Sequence, residues 1–135
     1  MKNTLLMALG LLLLGACTKE AGDLQAFRPF AGTWEAEQFI GFPGNVTLPP
    51  GNGRILVLET NGMMESRRND TVLYRGRYFL QYKQDCHPRE SSLYFTTNDS
   101  SFLWESYIQT NGDKLTLSTS NCLADGGSTI YRRIK

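Results

Sequence analysis

Histidine is almost missing from this chain. His87 stands alone among 135 residues, beside only three cysteines, Cys17, Cys86 and Cys122. A metal site needs several such ligands at suitable spacing, so no metal is expected, and no cofactor is implied. No apolar run reaches eighteen residues, so no helix is expected to span a bilayer. The net charge is +1, and Arg67-Arg68 and Arg132-Arg133 are isolated pairs. Without a basic cluster to track a phosphate backbone, nucleic acid is not an expected partner. There is no Gly-x-Ser-x-Gly, and Gly126-Gly127 reads as a turn rather than a phosphate loop. His87, between Cys86 and Pro88, reads as an exposed loop residue. Glu35 and Glu37 alternate with Trp34 and Ala36, which points them outward as a solvated face rather than an acid/base pair. No catalytic residue is assigned, and the chain is not expected to be an enzyme.

Helical periodicity is scarce too. No stretch offers ten residues of it, although a short helical turn ahead of Phe30 is compatible with the sequence. From Gly32 onward, runs of aromatic and β-branched residues alternate with Asn, Gly, Asp and Ser turns. The pattern predicts strands over 33–40, 53–60, 63–68, 71–83, 91–97, 101–110, 114–119 and 127–134. Asn61-Gly62 is a two-residue hairpin signal, and Asn69-Asp70, Asn98-Asp99-Ser100 and Asn111-Gly112-Asp113 are further turns. The fold class is therefore all-β: an eight-stranded up-and-down antiparallel barrel, closed so that no edge is left exposed.

Alternation assigns the faces. Val72, Tyr74, Gly76, Tyr78, Leu80 and Tyr82 share the inner side of the fourth strand, with Leu73, Arg75, Arg77, Phe79 and Gln81 opposite. Phe102, Trp104 and Ile108 point inward in the sixth, and Leu115 and Leu117 in the seventh. The last strand groups Ile130, Arg132 and Ile134 inward. Gln38 and Ser106 are also expected inside, where buried polar groups need partners. Ile55-Leu56-Val57-Leu58 is apolar on both faces, which asks for an outer cover from around Phe27 and Phe30. Residues 41–52, with three prolines, form a stiff loop that reads as a binding loop, a lid or a connector.

The amino-terminal residues carry a second pattern. Lys2 is followed by an apolar or small run from Leu5 to Ala16, then Cys17. Leu13-Leu14-Gly15-Ala16-Cys17 resembles the lipobox of bacterial lipoproteins. The resemblance implies a signal peptide over 1–16, lipidation of Cys17, and a lipid-anchored tether over 17–29 ahead of a domain at 30–135. Lys19-Glu20 is similar to short charged surface-export signals and equally fits a solvated linker. With Cys17 assigned to lipid, Cys86 and Cys122 remain. Either they pair, closing a loop of about 37 residues worth about 4 kcal/mol on the chain-entropy model, or they stay free thiols.

Gly32-Thr33-Trp34 at the first strand, eight meander strands, a long first loop and a basic residue near the chain's end together resemble the lipocalin-like proteins. The small bacterial lipocalin-like lipoproteins are the nearest pattern, with Gly76-Arg77-Tyr78 as their mid-strand Gly-x-Tyr. The resemblance implies a structural plug of Gly32, Trp34 and an arginine over the indole. Parity favours Arg132, with Arg133 the alternative. Phe42, Tyr74, Tyr78, Tyr82, Phe95, Phe102 and Trp104 are the candidate ligand-binding residues, with a packed core as their other reading. The expected function is a membrane-anchored barrel at the bacterial cell envelope, on an outer membrane and facing the periplasm or the surface, that binds a small hydrophobic ligand. The alternative is an envelope protein-interaction, accessory or inhibitor module with a filled barrel.

Overall fold

A computed structural model describes residues 20–84, 91–97, 105–119 and 126–135. Among the described residues one helix, α1 (Glu20–Phe27), precedes nine strands: β1 (Gly32–Ile40), β2 (Val46–Thr47), β3 (Arg54–Leu58), β4 (Met63–Arg68), β5 (Thr71–Gln84), β6 (Ser91–Thr97), β7 (Glu105–Asn111), β8 (Lys114–Ser118) and β9 (Ser128–Arg133). Eight of the nine run as an antiparallel meander from β1 through β3 to β9, and β1 pairs with β9 to close the barrel. The ninth, β2, is the addition that the sequence did not suggest. The first loop folds back and hydrogen-bonds along the outer half of β1, with Gln38 opposite Thr47.

The turn chemistry is local and readable, with one exchange of roles. Asn69 and Asp70 take φ of 49° and 65°, the paired left-handed geometry of a two-residue hairpin between β4 and β5. Asn61-Gly62 instead ends a four-residue connection. There Gly62 takes φ 79°, Met63 N–H donates to Asn61 Oδ1 at 2.8 Å, and Glu59 N–H donates to the Met63 carbonyl at 2.8 Å.

The interior is solid through its middle. Trp34, Tyr78, Phe95, Leu56, Leu58, Met64, Ile108 and Leu115 are sealed from solvent. Tyr78 and Phe95 stack tilted with centroids 5.4 Å apart. An eight-stranded barrel has room for little more than such side chains.

Three irregularities change the expected faces, the first a register shift where Ser66 faces Tyr74 and Arg67 faces Val72, which leaves Val72 exposed instead of inward. A bulge at Glu37 lets Ala36 face Tyr131 and Gln38 face Ile130, so one extra residue is absorbed. Beyond it Phe39, not Gln38, packs against the core. In β9 the inward set is Thr129, Tyr131 and Arg133, because Tyr131 lies opposite buried Leu115 and Ala36 while Arg133 lies opposite Trp34. The expected grouping of Ile130, Arg132 and Ile134 is thus displaced by one residue, which reverses the whole strand.

Phe27 and Phe30 do not cover the outside of β3. They close one end of the barrel, where Phe30 is buried and Phe27 meets Tyr78 edge-to-face at 4.9 Å. Packing therefore begins ahead of residue 30, within the segment expected to be tether.

Candidate functional site

The two ends of the barrel are built differently. At the end where α1 arrives, Trp34 Nε1–H donates to the Phe30 carbonyl at 2.8 Å. The Arg133 guanidinium sits 4.1 Å from the centre of the Trp34 ring and donates to the Ala31 carbonyl at 2.6 Å. The plug expected from Gly32, Trp34 and Arg132 is therefore Gly32, Trp34 and Arg133. Gly32 takes φ 153°, and a side chain there would collide with Arg133 and the Lys135 carbonyl.

Arg132 points to the outer wall and pairs with Glu35. Glu35 is only 5% exposed, contrary to the solvated face expected for it. The reason is the folded-back loop. Asn52 Nδ2 donates to the Ala36 carbonyl at 2.7 Å, Leu48 N–H donates to the Glu37 carbonyl at 2.7 Å, and the Gly51 and Asn52 amides reach the Glu35 carboxylate. Burial by itself would raise the Glu35 pKa. Hydrogen bonds from Arg132 and the two amides outweigh it and hold the carboxyl below its usual range. Glu37 pairs with Lys114. Glu65, equally buried on the outer wall, is held low first by the Arg67 hydrogen bond, against burial, and then by Arg75.

The opposite end is a mouth. Two cavities meet there, of about 230 Å³ and about 270 Å³, with Phe39 and Thr129 lining both. Ser66, Tyr131 and three arginines, Arg54, Arg68 and the Glu65-paired Arg67, line the first, and Ser106 and Leu117 line the second. The buried Leu56 and Leu58 put Arg54 on the inner face of β3, and buried Met64 puts Arg68 on the inner face of β4. The two are direct cross-strand partners.

Their setting is locally fixed. Asn69 N–H donates to the Gly53 carbonyl at 2.9 Å, and Arg54 N–H donates to Asn52 Oδ1 at 3.0 Å. Gly53 takes φ 73° with the Asn69 side chain against it, so any side chain there would be strained and would displace Asn69. The Arg54 guanidinium lies 5.3 Å from the Phe39 ring centre.

The predicted ligand-binding residues divide. Tyr78 and Phe95 are core: the Tyr78 hydroxyl donates to the Glu59 carbonyl at 3.0 Å, and burial, with the Glu59 charge beside it, pushes its pKa up. Tyr74 is buried with its ring laid over Gly76, where it leaves no room for a side chain. Tyr82 is 75% exposed, because β5 runs on past the last residue that β4 pairs with, Arg77. Phe42 is 88% exposed and lines neither mouth cavity. Ser106 is buried and lines the mouth, as its inward assignment implied. Phe102 and Trp104 lie outside the described residues, as do Cys17, Cys86, His87 and Cys122.

Sequence reading missed Arg54, Arg68, Phe39 and Tyr131. The readable clue was an arginine at the inward phase of each of two neighbouring strands, in step with Leu56 and Met64. Among the described residues, no group of three or more His, Cys, Asp or Glu can hold a metal ion, and no helix is long and apolar enough to cross a membrane. No family model, no curated protein and no solved structure matches this chain.

Proposed function

We propose that this chain is a lipocalin-like lipoprotein of the bacterial cell envelope, a non-enzymatic carrier that holds a small hydrophobic ligand in the mouth of its barrel. The observation that carries this reading is the contrast between the ends. One is plugged by Phe30, Trp34 and Arg133 and carries a cavity of about 450 Å³ between α1, the Asn61-Gly62 turn and β5, while the other opens two adjoining cavities around Phe39 that reach the inward side chains Leu56, Ser106, Leu117 and Tyr131. Apolar clefts with a few convergent polar groups are the usual form of a ligand site. The filled interior limits the guest to what the mouth accepts, so short chains or single rings are favoured over long lipids.

Lipidation of Cys17 fits this arrangement. The chain enters the barrel at the sealed end, so a lipid there would leave the mouth turned away from the membrane. Incorporation of labelled fatty acid, lost in Cys17→Ser, tests the anchor. Nonreducing mass mapping tests the Cys86–Cys122 bond. A fluorescence-displacement screen of the purified protein against short fatty acids and small aromatics tests the carrier itself. Binding that is abolished by Phe39→Asp while the fold persists supports it, and absence of any displacement removes it.

The interaction-module reading rests on a different observation, exposed Phe42 with Ile40 and Val46 nearby in sequence. Phe42→Ser would release an envelope partner without altering ligand displacement at the mouth.

A further inference from the structure

We infer that the mouth selects a small amphiphile with one anionic head, a carboxylate or phosphate monoester, gripped between Arg54 and Arg68 with its tail against Phe39. This deepens the carrier reading and rests on it. Arg67 and Arg75 pair with Glu65, Arg132 pairs with Glu35, and Lys83 and Lys114 have carboxylate partners. Arg54 and Arg68 make no ion pair with any described residue, although both line the same cavity.

Their placement sets like charges together at the rim of the mouth, Arg54 half-buried and Arg68 exposed. Like charges directly opposite on adjacent strands destabilise the pair, and Arg54 and Arg68 are such a pair. A single anion between them removes the repulsion and takes charge-assisted, forked hydrogen bonds that a guanidinium makes well to carboxylate or phosphate. Phe39 already positions one of the two guanidiniums. Tyr131, on the floor of the cavity, adds a hydroxyl; burial keeps it protonated and able to donate, the nearby Arg54 charge opposing only in part.

The test compares octanoate, octyl phosphate and 1-octanol on the purified protein by calorimetry at low and high salt. The anionic probes are expected to bind at least tenfold more tightly than octanol, with the preference shrinking as salt rises. Octanoate against octyl phosphate decides which head is native to the site. Arg54→Gln and Arg68→Gln are each expected to weaken the anionic probes about tenfold or more and leave octanol unchanged. Their melting temperatures should equal or exceed that of the unaltered protein, because the repulsion is relieved. Arg28→Gln, exposed and away from all three cavities, should change nothing. Octanol binding as tightly as octanoate overturns the anion site while the carrier reading stands. Failure of all three probes overturns both. Lower melting temperatures in both glutamine variants would mean that the arginines serve the fold, and would overturn the proposal by itself.

Discussion

The sealed end and the mouth are built from the same materials, an arginine beside an aromatic ring, yet the two arginines have different circumstances. Arg133 covers Trp34 and donates to the Ala31 carbonyl, so its polar group is satisfied within the fold. Arg54 stands beside Phe39 with a second arginine opposite and no acid partner among the described residues. A cation that completes a plug stabilises the barrel. A cation held against another cation costs stability, and such a cost is characteristic of a site rather than of a scaffold.

Substitution at the sealed end should have the largest effect. Trp34→Ala removes a fully buried indole and its hydrogen bond to Phe30, and should cost about 3–5 kcal/mol in urea unfolding. A loss under 1 kcal/mol would mean that this end is not the structural one.

The outer wall should respond next, and with pH. Glu35 and Glu65 have carboxyl groups held below the ordinary range. Their contribution is therefore fully present above the unfolded carboxylate pKa, about 4.3, and is lost as pH falls through the lower folded values. Thermal melts should fall steeply below about pH 4. Glu35→Gln should flatten that fall and cost about 1–3 kcal/mol at pH 7, since Arg132 loses its partner while keeping some access to water. An unchanged acid limb would assign the sensitivity elsewhere. The smallest effect belongs to Tyr82→Ser, beyond the rim, which should shift stability by less than about 0.5 kcal/mol and leave ligand displacement unaltered.

Part of this contrast was open to sequence reading. Trp34 after Gly32-Thr33 marked the plug, and the outward phase of Arg75, Arg77 and Phe79 was correct because β5 alternates without ambiguity on that side. Tyr82 was misplaced although its phase was right. Phase gives the side of a strand and not whether a neighbour continues beside it. Arg132 was misplaced because Ile130-Tyr131-Arg132-Arg133-Ile134 has large side chains in both phases, and its face follows from Leu115, Leu117 and Trp34 on the adjoining strands. Glu35 was read as solvated because alternation gave its side correctly. Its burial comes from a loop sixteen residues away, through Asn52 and Gly51.

The sequence by itself determined the strand segments and most of their turns, since a turn is made by its own residues: paired positive φ at Asn69-Asp70, and Gly62 and Gly112 where the chain reverses. The tertiary structure decided which arginine plugs and which faces the mouth. A bulge of one residue or a one-residue displacement of strand phase exchanges inside for outside, and only pairing with the neighbouring strands removes that choice.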